Sequence, residues 1–313
     1  MTPLRIAADH NYPADYFFAR VRARRAVLPP QWRIHTGQAD TAGAAGPEKD
    51  LDWRLLQEEL LWSFRQMNAN LRRIFEPFFV FMELRTIICC LRYQAAAMTD
   101  RVDGVLRDSL LADKIRAILS ESTDVAGAIA RVADYFGPEL ITAARQKENN
   151  QVGMIKAFEV RLFAGFLQQT AKHRLHVELS HFFRMQIDFR NLMILAKHRR
   201  WTISEPPPLL QGGYVSHVKL NAAAEAGFFE GEASLKGLSG SWTIGLQFSD
   251  YPRLEGVLLK RISNSLTRKS RTGSGISLTL DYLWKRSLTT RNASLSRQEG
   301  NLPSELLKEE FVQ

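Results

Sequence analysis

The sequence predicts an all-α fold, and three observations predict it. Apolar residues recur at spacings of three and four over long stretches, the signature of one helical face. Residues suited to capping stand before several of these stretches, and Gly or Pro stands after them. Alternation at period two is scarce; Trp242 to Phe248 is the one stretch that could form a short strand.

After a Gly/Ala-rich loop at 41–46, Asp50 is placed to cap a first long helix. Leu56, Leu60, Phe64, Met67, Leu71 and Ile74 form its seam. Pro77 has no N–H to give the preceding turn, so the helix should kink or end there, with a new one running to about Met98. Thr123-Asp124 should cap a helix whose stripe is Val125, Ile129, Val132 and Phe136, with Gly137-Pro138 as its stop. From Met154 to about Arg200 the pattern is helical again, with Phe158, Leu162 and Phe166 on one face. Beyond His176 the apolar residues are dense enough to place that part centrally in its domain. Pro206-Pro207-Pro208 breaks the chain, and Gln211-Gly212-Gly213 makes a turn. Residues 227–245 read as short helices and loops. A helix from about Pro252 to Arg268, a flexible loop at Arg271–Gly275 and a last long helix from about Ile276 to Arg297 complete the chain.

Composition narrows the class. A 45% hydrophobic, 24% charged chain of 313 residues is ordinary for a folded protein and excludes a disordered or collagen-like one. Length alone suggests two domains. The most apolar stretch, Ile74 to Leu91, is interrupted by Glu76, Pro77, Glu83 and Arg85, so no spanning helix is expected. The first ten residues lack a secretory pattern, and the adjacent Cys89 and Cys90 are expected to be buried thiols in a reducing compartment. The net charge of +9 is unevenly placed. Residues 251–300 hold ten Lys or Arg against three acids, and a smaller group includes Arg20, Arg22, Arg24, Arg25 and Arg33. The cations Lys260, Arg261, Arg268, Lys269 and Arg271 form a candidate docking patch.

Three segments repeat a short polar pattern late in a long helix. They are Glu83-Leu84-Arg85-Thr86, Asp188-Phe189-Arg190-Asn191 and Thr289-Thr290-Arg291-Asn292, about 100 positions apart. An acid and an Asn three positions on share one helix face and can pin the helix by polar contacts. Short helices should follow at Val215–Ala226 and Ser304–Val312, with Ala112–Leu119 as the first counterpart. The chain then divides into three helical domains of about 100 residues, 1–122, 123–226 and 227–313.

With its flanks, this repeat resembles the C subunit of the archaeal and bacterial V/A-type rotary ATPases, whose counterpart in the eukaryotic vacuolar enzyme is the d subunit. Three blocks in family order carry the resemblance. Tyr16 through Arg20, Arg22 and Arg24 is similar to the N-terminal signature. Phe182-Phe183 through Asp188, Arg190 and Asn191, then Leu209 to Tyr214 with Gly212 and Gly213, is similar to the central block. Tyr282-Leu283-Trp284 through Arg291 and Asn292, then Leu302 to Leu306, is similar to the last block. Thr289 stands near where the family has a Glu. The resemblance implies a funnel of three similar helical domains on the cytoplasmic face of the membrane. It also implies a non-catalytic adapter between the D and F subunits of the central stalk and the proteolipid rotor ring, with the membrane part of the stator as a further neighbour. No cofactor is implied.

Other chemistries find less support. No Gly-x-x-x-x-Gly-Lys loop and no Gly-x-Ser-x-Gly elbow occur. His173 and His176 share a helical spacing, but Glu178 and His181 do not complete a metal set convincingly, and a solvated polar face is the expectation. The basic run at 260–271 could instead bind nucleic acid, the alternative reading, although no DNA- or RNA-binding signature accompanies it. Trp284 could help such a patch dock on anionic headgroups. Asn292-Ala-Ser294 is read as a chance glycosylation sequon.

Overall fold

The computed structural model describes residues 3–5, 10, 12–27, 51–122, 124–136, 150–201, 207–225 and 251–296. Within them lie α1 (Ala14–Val27), α2 (Leu51–Gln66), α3 (Ala69–Ala95), α4 (Thr99–Leu106), α5 (Asp113–Glu121), α6 (Val125–Phe136), α7 (Gln151–Lys172), α8 (Val177–Arg200), α9 (His217–Glu225), α10 (Tyr251–Thr272) and α11 (Gly275–Ser296). No strand occurs among the described residues; Leu4 and Leu111 form a lone antiparallel bridge. The all-α expectation holds. Contacts divide the chain into two compact units, Met1–Phe17 with Trp53–Gln169 and Phe18–Asp52 with Thr170–Gln313. These boundaries differ from 122 and 226. The expectations at Asp50, Gly137-Pro138, 227–245, Trp242–Phe248 and 302–312 lie outside the described residues.

Unit 1 is built on α3. The helix does not end at Pro77: α3 runs through it. The break comes at Met67–Asn68 instead. Asn68 has extended backbone, and its Oδ1 accepts the Leu71 N–H at 3.0 Å, while the Arg72 Nε–H takes the Met67 carbonyl at 2.8 Å. An interior proline costs a helix about 3 kcal/mol. Phe75, Phe78 and Phe79 flank Pro77 and are all fully buried, and each such burial returns roughly 1.5–3 kcal/mol. Packing therefore outweighs the missing N–H.

The seam read from the sequence does face inward. Leu56, Leu60, Phe64, Met67 and Leu71 are buried, and Ile74 is half-buried. Phe64 meets Phe79 edge-on at 5.3 Å, and the Gln57 Nε2 donates to Thr86 Oγ1 at 3.3 Å. These pairs run in opposite order along the two helices, so α2 and α3 are antiparallel. α4, α5 and α6 pack on α3 as well. α7 adds Phe163 against Phe81 at 5.8 Å and a Glu159–Arg92 ion pair of 2.6 Å. Asp124 caps α6 as expected, accepting from Ala126 and Gly127 at 3.1 and 2.8 Å. Cys90 is buried and Cys89 half-buried, both as free thiols; burial pushes the Cys90 thiol well up.

Unit 2 is built on α8, which packs on α10 and α11. α10 and α11 form an antiparallel hairpin through Gly273–Ser274, so the loop expected at Arg271–Gly275 is shorter than predicted. Asp281 meets Thr267 and Arg291 meets Glu255 across it. An apolar cluster of Leu192, Leu195, Leu209, Val215, Leu220, Leu254 and Leu258 joins α8, α9, α10 and the 209–215 loop.

Candidate functional site

The central polar pattern gathers around one loop. Asp188 and Asn191 lie one turn apart on α8 and are fully buried. Asn191 grips the Leu210 peptide at both ends: its Oδ1 accepts the Leu210 N–H at 2.7 Å and its Nδ2 donates to the Leu210 carbonyl at 2.9 Å. Asp188 takes the next bend, its two oxygens accepting the N–H groups of Tyr214 and Val215, each at 3.0 Å. Leu210 and Val215 are buried within this otherwise largely exposed loop, so their peptide groups have few routes to a partner, and these two side chains supply one. Gly212 has φ +98°, in the left-handed region that disfavours side chains. Gly213 passes so close that an added Cβ would stand 2.0 Å from Asp188 Oδ1. Asp, Asn and Gly-Gly are thus one device.

Unit 1 carries a counterpart of the carboxylate part of this device. The buried Glu83 accepts the Ser109 hydroxyl at 2.8 Å and the Leu110 N–H at 2.7 Å. The sequence offsets are 26 and 27 residues, the same as from Asp188 to Tyr214 and Val215. Donors and acceptors alike are therefore shifted by 105 positions, the spacing 188 − 83 of the sequence pattern. In each unit a short helix follows, α5 at Asp113 and α9 at His217. Here Pro3 to Arg5 line the loop, with Arg5 N–H to the Leu110 carbonyl and Ala112 N–H to the Pro3 carbonyl, both 2.8 Å.

The third pattern behaves differently. Thr289 is exposed and its hydroxyl donates to the Lys285 carbonyl of its own helix at 3.0 Å. Asn292 is buried, which also removes it as an exposed glycosylation acceptor. Arg291 pairs with Glu255 at 3.3 Å. Arg85 is exposed and Arg190 half-buried.

No family model matches the chain, and no curated protein matches it either.

The remaining motif residues have separate settings. Tyr16 is exposed, its ring 5.1 Å from that of Tyr12 in unit 1. Arg20 is half-buried and Arg22 exposed on α1, and Tyr282 is buried in α11. The candidate docking patch divides. Lys260, Arg268 and Arg271 are exposed. Lys269 pairs with Glu178 at 3.1 Å, and Arg261 is half-buried, with burial lowering its guanidinium below the usual range. Trp284 is buried, its ring 5.4 Å from Phe182, and so cannot meet headgroups; that expectation is corrected. His173 and His176 lie in the break between α7 and α8, not on a helix face as their spacing suggested. The His176 Nδ1 accepts the Glu178 N–H at 3.3 Å, a capping role. Among the described residues no group of His, Cys, Asp and Glu is placed to hold a metal.

Two centres of unit 2 were not legible in the sequence. Asp281 is fully buried and joins three helices: Arg25 of α1 at 2.7 Å, Thr267 of α10 at 2.9 Å and Lys285 of α11 at 3.1 Å. His181 links the Tyr214 hydroxyl to Ser265 Oγ, the latter at 3.0 Å; burial, helped by Lys269, lowers its pKa to about 4, so the ring is neutral near pH 7. Arg184 lies 4.1 Å over the Tyr214 ring and donates to the Gly213 carbonyl.

Burial also sets the charge state of the fastenings. It raises Asp188 from 3.8 to about 6, against the opposing pull of the Val215 and Tyr214 N–H groups, and raises Glu83 in the same direction. A carboxyl held above its unfolded value contributes stability that is complete below the unfolded pKa and is lost as pH rises through the folded one. Lowering pH from 7 to 4 should therefore stabilise the wild type relative to Asp188→Asn, on the order of 2–3 kcal/mol. Urea midpoints of the two proteins at pH 4, 5, 6 and 7 measure this. A constant difference across the range would refute it. Glu83 is common to both proteins and cancels.

Proposed function

We propose that the chain is a non-catalytic adapter of a V/A-type rotary ATPase, a divergent counterpart of its C subunit. In this reading it links the D and F subunits of the central stalk to the proteolipid rotor ring on the cytoplasmic face of the membrane. It passes torque between ATP chemistry and proton or sodium movement, both of which reside in other subunits. One observation carries the reading. The residues of the resemblance's central block, Asp188, Asn191, Gly212 and Gly213, converge on a single loop fastening, and Glu83 makes a carboxylate tie at the same offsets 105 positions earlier. An internally repeated helical unit is what the resemblance implies. A torque adapter also needs stiff parts, and long helices with buried polar ties meet that need. No helix among the described residues is long and apolar enough to cross a membrane, which accords with attachment through other subunits.

The test is co-purification. A tagged chain isolated at low salt from gently solubilised membranes should bring the D and F subunits and the ring with it. Recovery of the chain without any of them would overturn the proposal.

A further inference from the structure

We infer that the outer ridge of α10 is an interaction surface for an acidic helix of another protein. From Leu254 to Arg271, the exposed positions of α10 are Lys260, Asn264, Arg268 and Arg271, and the rest with described burial face inward at least in part. The steps of four, four and three keep these residues on one row about 16 Å long at 1.5 Å per residue. The row has no acid and no apolar side chain. An ordinary exposed helix mixes both signs along its face.

Charge bookkeeping within the hairpin explains why the row stays cationic. The acids between 251 and 296 are Glu255 and Asp281 alone. Glu255 is engaged by Arg291, and Asp281 by Arg25 and Lys285. On α8, Glu178 is held by Lys269 at 3.1 Å, and Asp188 by the Tyr214 and Val215 N–H groups. The hairpin's acids are thus committed to inward or flanking cations, and Lys260, Arg268 and Arg271 face outward.

The shape of the row selects the partner. A single i, i+4 ridge fits the groove between rows on another helix, whereas a bilayer or a duplex would meet it only along a line. Three cations hold only weakly on anionic headgroups unless an apolar anchor adds to them, and Trp284 is buried. Two of the three cations are arginines, whose planar forks suit carboxylates in two-point contacts. A helix carrying Glu at four-residue spacing would match the row. This inference is independent of the rotary reading.

The probe is a synthetic alanine-based helical peptide with Glu at every fourth position, titrated at low salt against the full chain. It should bind, weaken with added salt, and weaken by about tenfold or more in Lys260→Glu/Arg268→Glu/Arg271→Glu, a loss of roughly 1.4 kcal/mol or more. The variant Lys114→Glu/Lys172→Glu/Arg174→Glu changes net charge equally and should bind as the wild type does. Triple alanine replacement of the ridge should lower affinity too, and it serves if the reversal fails to fold. Three results would each overturn the inference. They are no peptide binding, equal loss in both charge-reversal variants, or tighter ridge-dependent binding of duplex DNA or phosphatidylserine vesicles than of the peptide.

Discussion

Asp188→Ala is expected to destabilise unit 2 by about 2–4 kcal/mol at pH 7. The change strands two backbone donors, Tyr214 and Val215, and an unsatisfied buried donor costs about 1–3 kcal/mol. Part of that cost is offset, because the variant no longer has to bury a charge that its surroundings disfavour. Tyr214 is also partly exposed, so water can reach its N–H and reduce its share. Urea unfolding gives the total, and hydrogen exchange at Tyr214 and Val215 gives its location. Unchanged stability together with unchanged protection of these two amides would mean that the carboxylate does not hold the loop.

Gly213→Ala should cost a similar amount, about 2–4 kcal/mol, by a steric route. Its methyl carbon would fall 2.0 Å from Asp188 Oδ1 and 3.2 Å from Ile187 Cγ2. The carboxylate sits on a stiff, buried helix, so the loop must move, and it gives up its hydrogen bonds as it does. The double variant Asp188→Ala/Gly213→Ala is the informative one. Once the carboxylate is gone the methyl has room, so the second change should add far less than it costs alone. Full additivity of the two losses would show that the glycine is needed for some reason other than the approach of Asp188.

The helices and their buried faces were legible because helical periodicity reports burial directly. The seam from Leu56 to Leu71 and the stripe of Val125, Ile129 and Val132 are buried as their spacing implies. The continuation of α3 past Pro77 has a physical cause. A local rule about one missing N–H was set against three buried phenylalanines, and the larger energy prevailed. Asn68 was the available signal, since an Asn three residues before Leu71 is an ordinary cap. The acid pattern was legible as a repeat, but not its target. Nothing in a helix's own sequence says that Glu83 reaches Leu110 or that Asp188 reaches Val215. Asp281 was missed for the same reason, because its partners are spread from Arg25 to Lys285. The basic patch read as five equivalent cations, whereas only burial separates Lys260, Arg268 and Arg271 from Arg261 and Lys269.

The reach of these ties also bears on the order in which the chain can assemble. Each carboxylate fastening closes a stretch of 26 or 27 residues, a low-contact-order event with little loop entropy to overcome. Such a closure is available while the chain is still leaving the ribosome. The bond from Arg25 to Ser270 spans 245 residues, and Asp281 lies farther still. At about 5–20 residues per second of synthesis, α1 waits on the order of 10–50 s before Asp281 exists to receive it. During that interval Arg25 has no buried carboxylate to meet, and the part of α1 that belongs to unit 2, where Val21 is fully buried, has no hairpin beside it. The N-terminal helix is thus among the first segments made and among the last in unit 2 to reach its place.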